Sequence, residues 1–93
     1  MNKYTFIFEF KKGTYIKQIL SEDVQSATIE WGSLINKDEI EIPNISDEEL
    51  DLLRSYLSDD DYKVVNILNV TNVWCITFSI KKHFALLNVI LTV

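Results

Sequence analysis

The stretch Lys3-Tyr4-Thr5-Phe6-Ile7-Phe8-Glu9-Phe10-Lys11-Lys12-Gly13-Thr14-Tyr15-Ile16-Lys17-Gln18-Ile19-Leu20 alternates along most of its length. Tyr4, Phe6, Phe8 and Phe10 fall on one side, and Thr5, Ile7 and Glu9 on the other. A period of two carried by aromatic and β-branched residues predicts a strand over 3–10. Lys11-Lys12-Gly13-Thr14 predicts a turn, with Gly13 taking the positive φ, and Tyr15 to Leu20 predicts the returning strand. The stretch reads as a β-hairpin.

From Ser21 onward the period changes. Val24, Ala27, Trp31, Leu34 and Ile35 recur at helical spacing, with Ser21 or Asp23 as the cap and Glu22 and Asp23 suited to the positive end of the dipole. Gly32 weakens the last turn, and fraying is expected near Asn36. Glu39-Ile40-Glu41-Ile42 alternates briefly and predicts at most an edge strand, blunted by its charges and by Pro43. Ser46-Asp47-Glu48-Glu49 is a capping box, with Ile45 and Leu50 placed to close a hydrophobic staple. Leu50, Leu53 and Leu57, with Tyr56 beside them, form the buried stripe of a second helix that Asp59-Asp60-Asp61 ends.

The last third is β again. Tyr62 to Val70 alternates loosely and is open to a strand or a loop reading. Trp74, Ile76, Phe78 and Ile80 share one side of a strand, opposite Val73, Cys75, Thr77 and Ser79. Lys81-Lys82-His83 predicts a turn, and Phe84 to Val93 is apolar on both sides, as in a strand interior to a sheet or covered by a second layer. The order β-β-α-(β)-α-β-β predicts a single small α+β domain over residues 1–93, with two helices packed on one face of an antiparallel sheet.

Composition narrows the function. With 47% hydrophobic and 25% charged residues, two glycines and one proline, the 93-residue chain is neither collagen-like nor disordered. The single Cys75 excludes an intramolecular disulfide framework, and with the single His83 it cannot build a zinc site. Cys75 lies mid-strand, where a free cysteine is usually a small hydrophobe, and His83 sits beside two lysines in the predicted turn. Asp59-Asp60-Asp61 lacks the alternate spacing, glycine and terminal glutamate of a calcium loop. Phosphate-binding loops need more glycine than this chain has. No catalytic residue, cofactor or metal is therefore expected. The N-terminus lacks a signal-peptide pattern and no run is long enough to span a bilayer, so a cytoplasmic location is expected.

The net charge of −5 is unevenly spread. Glu22 to Asp61 holds 13 acidic residues against Lys37 and Arg54, while the two ends carry seven lysines against Glu9. This opposes nucleic acid as a partner and offers an acidic helical face, Glu22, Asp23, Glu30, Asp47, Glu48, Glu49 and Asp51, to a basic protein. The aromatic residues Tyr4, Phe6, Phe8 and Phe10, with Tyr15 and Trp31, are expected in the core, and any part left uncovered would be a self-association surface.

Tyr4-Thr5-Phe6-Ile7-Phe8-Glu9-Phe10 with Gly13-Thr14-Tyr15-Ile16, and Asn72-Val73-Trp74-Cys75, resemble the N-terminal hairpin and C-terminal strand of small uncharacterised bacterial proteins. The resemblance implies a bacterial origin and an α+β domain, and no activity. The hairpin leading into a helix also resembles antitoxins whose α+β domain begins that way. The third strand expected before the helix is absent, so no site carries over. The expected function is a non-enzymatic bacterial interaction protein, in one form an immunity- or antitoxin-like inhibitor that covers a basic active site with its acidic helices. The alternatives are a homo-oligomer joined through a sheet edge or the aromatic face and, further off, a small-molecule binder or small enzyme needing a pocket of roughly 300 Å³.

Overall fold

Alternation in the first stretch produces β1 (Asn2–Phe10) and β2 (Gly13–Ser21), paired antiparallel with Phe10 opposite Gly13. The computed structural model describes residues 1–36, 40–59, 61 and 63–92. The register leaves only Lys11 and Lys12 between the strands, and both adopt positive φ, 48° and 67°. A two-residue connection with both residues left-handed matches the right-handed twist of its strands. Gly13, expected to carry the positive φ, is instead an extended strand residue. A Cβ at Gly13 would meet the ring of Tyr15, which folds back over it.

The first helix, α1 (Val24–Leu34), is capped by Asp23, whose Oδ1 accepts from the Ser26 N–H at 2.7 Å, while Ser21 stays in β2. Ala27 and Trp31 are buried, and Trp31 stacks on Phe6 with centroids 5.6 Å apart and meets Phe8 edge-on. At its far end Arg54 donates from Nε to the Gly32 carbonyl (2.9 Å) and from Nη2 to the Ile35 carbonyl (3.1 Å), closing the helix where fraying was expected. Gly32 faces the second helix: a Cβ there would lie 2.6 Å from Cδ1 of Leu57.

No strand forms among the described residues between the helices. Ile35 and Ile40 make an isolated parallel bridge, and the Ile42 N–H donates to Oδ1 of Asn36. Ile40 and Ile42 plug the core from a loop, and Glu39, which begins the predicted edge strand, lies outside the described residues. The second helix, α2 (Asp47–Ser58), starts on the complete capping box of Ser46 and Glu49 and buries Leu50, Leu53 and Leu57. Of the residues expected to end it, Asp59 is the C-cap and Asp60 lies outside the described residues.

Three strands follow: β3 (Val65–Asn66), β4 (Val73–Ile80) and β5 (His83–Thr92). Of the loosely alternating segment, Tyr62 lies outside the described residues, and residues 63–70 contribute a two-residue strand and otherwise irregular chain. Lys81 and Lys82 repeat the left-handed pair of the first hairpin, with φ of 47° and 72°, and His83 already belongs to β5. The sheet runs β2-β1-β5-β4-β3 and every neighbouring pair is antiparallel. The two-sided apolar strand β5 is interior, as its pattern required. Both helices cover one face, whose core is Tyr4, Phe6, Phe8 and Phe10 from β1, Ile76, Phe78 and Ile80 from β4, and Ala85, Leu87 and Val89 from β5. Of the aromatic set, Tyr4, Phe6, Phe8, Phe10 and Trp31 are core, and Tyr15 is half-buried against it.

Candidate interaction surface

Residues that alternate with the core positions must emerge on the other face of the sheet. The register lines them up in cross-sheet rows. Ile16, Ile7, Asn88, Cys75 and Val65 form one; Gln18, Thr5, Ile90 and Val73 form a second; Thr14, Glu9, Leu86 and Thr77 form a third. Neither helix lies on this side. Ile16 and Leu20 are 66% and 58% exposed, Phe84 is 68% exposed, and even the central Ile7, Leu86 and Ile90 remain only half-buried. Isolated exposed apolar residues are ordinary, but a contiguous set on one sheet face is a mark of an interaction site.

The face is also poor in charge. Along β1, β2, β4 and β5 its charged side chains are Lys3 at one end and Glu9 at the other. Its polar groups partly satisfy one another: Gln18 donates to the Thr5 hydroxyl at 3.1 Å, and the Thr5 and Thr92 hydroxyls bond to each other. Two shallow depressions mark it. One of about 330 Å³ lies by the first hairpin turn, among Glu9, Lys11, Lys12, Thr14, Phe84 and Leu86, and one of about 310 Å³ among Asp61, Lys63, Val65, Cys75 and Thr77, so charge gathers at the margins of the face.

The acidic residues do not share one face. Glu22 and Asp23 lie where β1 begins, since the Asn2 side chain donates to the Glu22 carbonyl at 3.2 Å. Glu48 and Glu49 lie where β1 ends, held to Lys81 and Lys11 of the two hairpin turns. The length of β1, about 30 Å for nine residues, separates the two groups. Glu30 sits along β2 beside Lys17 and Leu20, and Asp47 and Asp51 are exposed on α2.

Three of the seven are committed within the fold. Asp23 caps α1, and the Ser26 backbone N–H holds its carboxyl below the usual range. Glu48 is lowered by its hydrogen bond to Lys81. Glu49 is only 4% exposed; it accepts from the Ser46 N–H and from Lys11 Nζ, both at 2.9 Å. The Ser46 backbone hydrogen bond, helped by Lys11 and opposed by burial, brings its pKa down to about 2. Glu49 therefore belongs to the interior of the fold, not to an acidic surface.

Cys75 points to the open face and is half-buried, whereas His83 lies on the helix side, its ring edge-on to Phe10 at 6.0 Å. The sheet separates the two side chains. Among the described residues no three His, Cys, Asp or Glu side chains are grouped so that they could hold a metal ion. Among them, too, no helix is long and apolar enough to cross a membrane. A groove of about 250 Å³ between the helices is lined by Ile29, Gly32, Ser33, Arg54, Leu57 and Ser58. Its one ionic side chain, Arg54, already caps α1.

No protein family, curated protein or solved structure matches this chain. Sequence reasoning placed Ile7, Val73 and Cys75 on the correct side of their strands but did not assign Ile16 to a side or assemble these residues into a surface. The available signal was β5, apolar on both sides, whose second face no helix among the described residues covers.

Proposed function

We propose that this chain is a non-enzymatic bacterial protein-interaction module of the cytoplasm, and that it binds its partner through the open face of its sheet. The charge-poor apolar rows centred on Ile7, Ile16, Leu86 and Ile90 carry this reading. The inhibitor form, with an acidic helical face over a basic active site, draws support from the net charge of −5 and from exposed Glu22, Glu30, Asp47 and Asp51. It is the weaker form, because Asp23, Glu48 and Glu49 are engaged within the fold and the remainder are spread over both helices and the loop before α1.

Substitution separates the two. Ile7→Asp places a charge at the centre of the open face, where desolvating it on binding should cost at least about 2 kcal/mol of affinity. Neutralising Glu22, Glu30, Asp47 and Asp51 together should leave affinity nearly unchanged. The check is capture of partner from host lysate by each tagged variant at low and high salt, with circular dichroism confirming the fold. Retention by the neutralised variant and loss by Ile7→Asp is expected. The reverse pattern, with binding abolished at high salt, would establish the acidic-face reading instead.

A further inference from the structure

We infer that the partner on the open sheet face is a second copy of this chain, packed face to face about a two-fold axis that sets Lys3 of each copy over Glu9 of the other; this rests on the open face being the binding surface. Lys3 and Glu9 lie on β1, six positions apart, at opposite ends of a face whose other positions on β1, β2, β4 and β5 are uncharged, the remaining charges (Lys11, Lys12, Asp61 and Lys63) lying at its margins. A two-fold axis lying between the sheets and crossing β1 at the level of Phe6 exchanges the two ends. It therefore matches both charges twice, and it sets Ile7 of one copy against Thr5 of the other. Any arrangement that stacked β1 on β1 in the same direction would oppose lysine to lysine and glutamate to glutamate.

The size and chemistry of the face fit this occupant. Four long strands about 4.8 Å apart and about 30 Å long present roughly 600 Å² per copy, and roughly 1,200 Å² for the pair reaches the lower limit of a stable interface. Two such sheets pack about 10 Å apart with side chains interdigitated, as in a β-sandwich. The Thr5 and Thr92 hydroxyls and one amide N–H of Gln18 already bond to one another, so covering them leaves those hydrogen bonds in place.

The exposed edge of β2 is less suited to a second copy. Lys17, at the midpoint of the strand, turns toward the helix layer, and an antiparallel copy centred there would set lysine directly opposite lysine. The edge is guarded and the face is not.

Sedimentation equilibrium of the full chain from about 1 to 200 µM tests the arrangement. The mass should approach twice 10.8 kDa as concentration rises. Lys3→Glu or Glu9→Lys alone should weaken dimerisation roughly tenfold or more, since each sets two like-charge contacts in place of two attractive ones. The double variant should recover it, and an equimolar mixture of the two single variants should form a heterodimer. A dimer lost with Ile7→Asp but indifferent to these charge reversals would overturn the two-fold arrangement. A strictly monomeric wild type would overturn the second copy as occupant. Lysate capture that depends on Ile7 would then leave the open face standing as a site for a different protein, and capture indifferent to Ile7 would remove that reading as well.

Discussion

Glu49 links the turn of the first hairpin to the start of α2. Its carboxylate takes the Ser46 N–H and the Lys11 ammonium together, so one side chain ties helix, loop and sheet at a single point. The sign of its pH dependence follows from a pKa near 2 in the fold against an ordinary 4.5. The stabilisation is complete above the ordinary value and disappears as pH falls from about 4.5 toward 2. In urea titrations over that range, Glu49→Gln should show a shallower loss of stability than the wild type, because it keeps an acceptor for the Ser46 N–H without the charge. Asp23 and Glu48 are shifted in the same direction and leave a residual slope. Equal slopes in the two proteins would refute the role given to Glu49. Arg54 carries a comparable responsibility at the end of α1. Arg54→Ala should cost about 1–3 kcal/mol in chemical denaturation, because two C-terminal carbonyls lose their charged donor.

At the level of elements, the two hairpins solve one problem in the same unusual way, with lysine pairs in left-handed conformation where Asn-Gly is the favoured choice. Each such residue costs roughly 1 kcal/mol relative to glycine. Lys12→Gly and Lys82→Gly should therefore each raise stability, by about 0.5–1 kcal/mol, and shift the thermal midpoint upward by a few degrees. An unchanged or lower midpoint in calorimetry would show that these side chains hold the turns in ways their backbone angles do not reveal. The turn also shows why Gly13 was misread from the sequence. Composition points to glycine for positive φ, but the location of the left-handed pair depends on which residue faces Phe10, and that is a property of pairing. The same holds for Ile40 and Ile42. Their alternation resembles a strand, yet the Ile42 N–H finds the Asn36 side chain instead of a neighbouring strand. Where local chemistry was sufficient, the reading succeeded: the capping box, the Leu50–Leu53–Leu57 stripe and the aromatic side of β1 all stand as their patterns required.

For the molecule as a whole, parity along a strand tells which side chains share a face but not which faces receive a layer. Two helices suffice for one side of this sheet, and the other side keeps Ile7, Ile16, Leu86 and Ile90 in contact with solvent. The acidic residues are dispersed for a related reason. Helix periodicity cannot reveal that α1 starts at one end of the sheet and α2 at the other, so charges close in sequence were credited with a shared surface they do not have. Substitutions on the open face should spare the fold: Ile7→Asp should unfold cooperatively within about 1 kcal/mol of the wild type when both are monomeric, in contrast to Phe8→Ala, which should lose about 3–5 kcal/mol. Comparable losses from both, measured by urea denaturation at low protein concentration, would mean that the open face contributes to the core.

Cys75, the chain's only cysteine, lies half-buried on this open face and so reports on whether the face is covered. The decisive measurement is the rate of its alkylation by excess reagent as protein concentration rises from about 1 to 200 µM, with Ile7→Asp in parallel. Docking of a second copy on the sheet predicts a rate that falls with concentration in the wild type and stays constant in Ile7→Asp. A wild-type rate independent of concentration would contradict it.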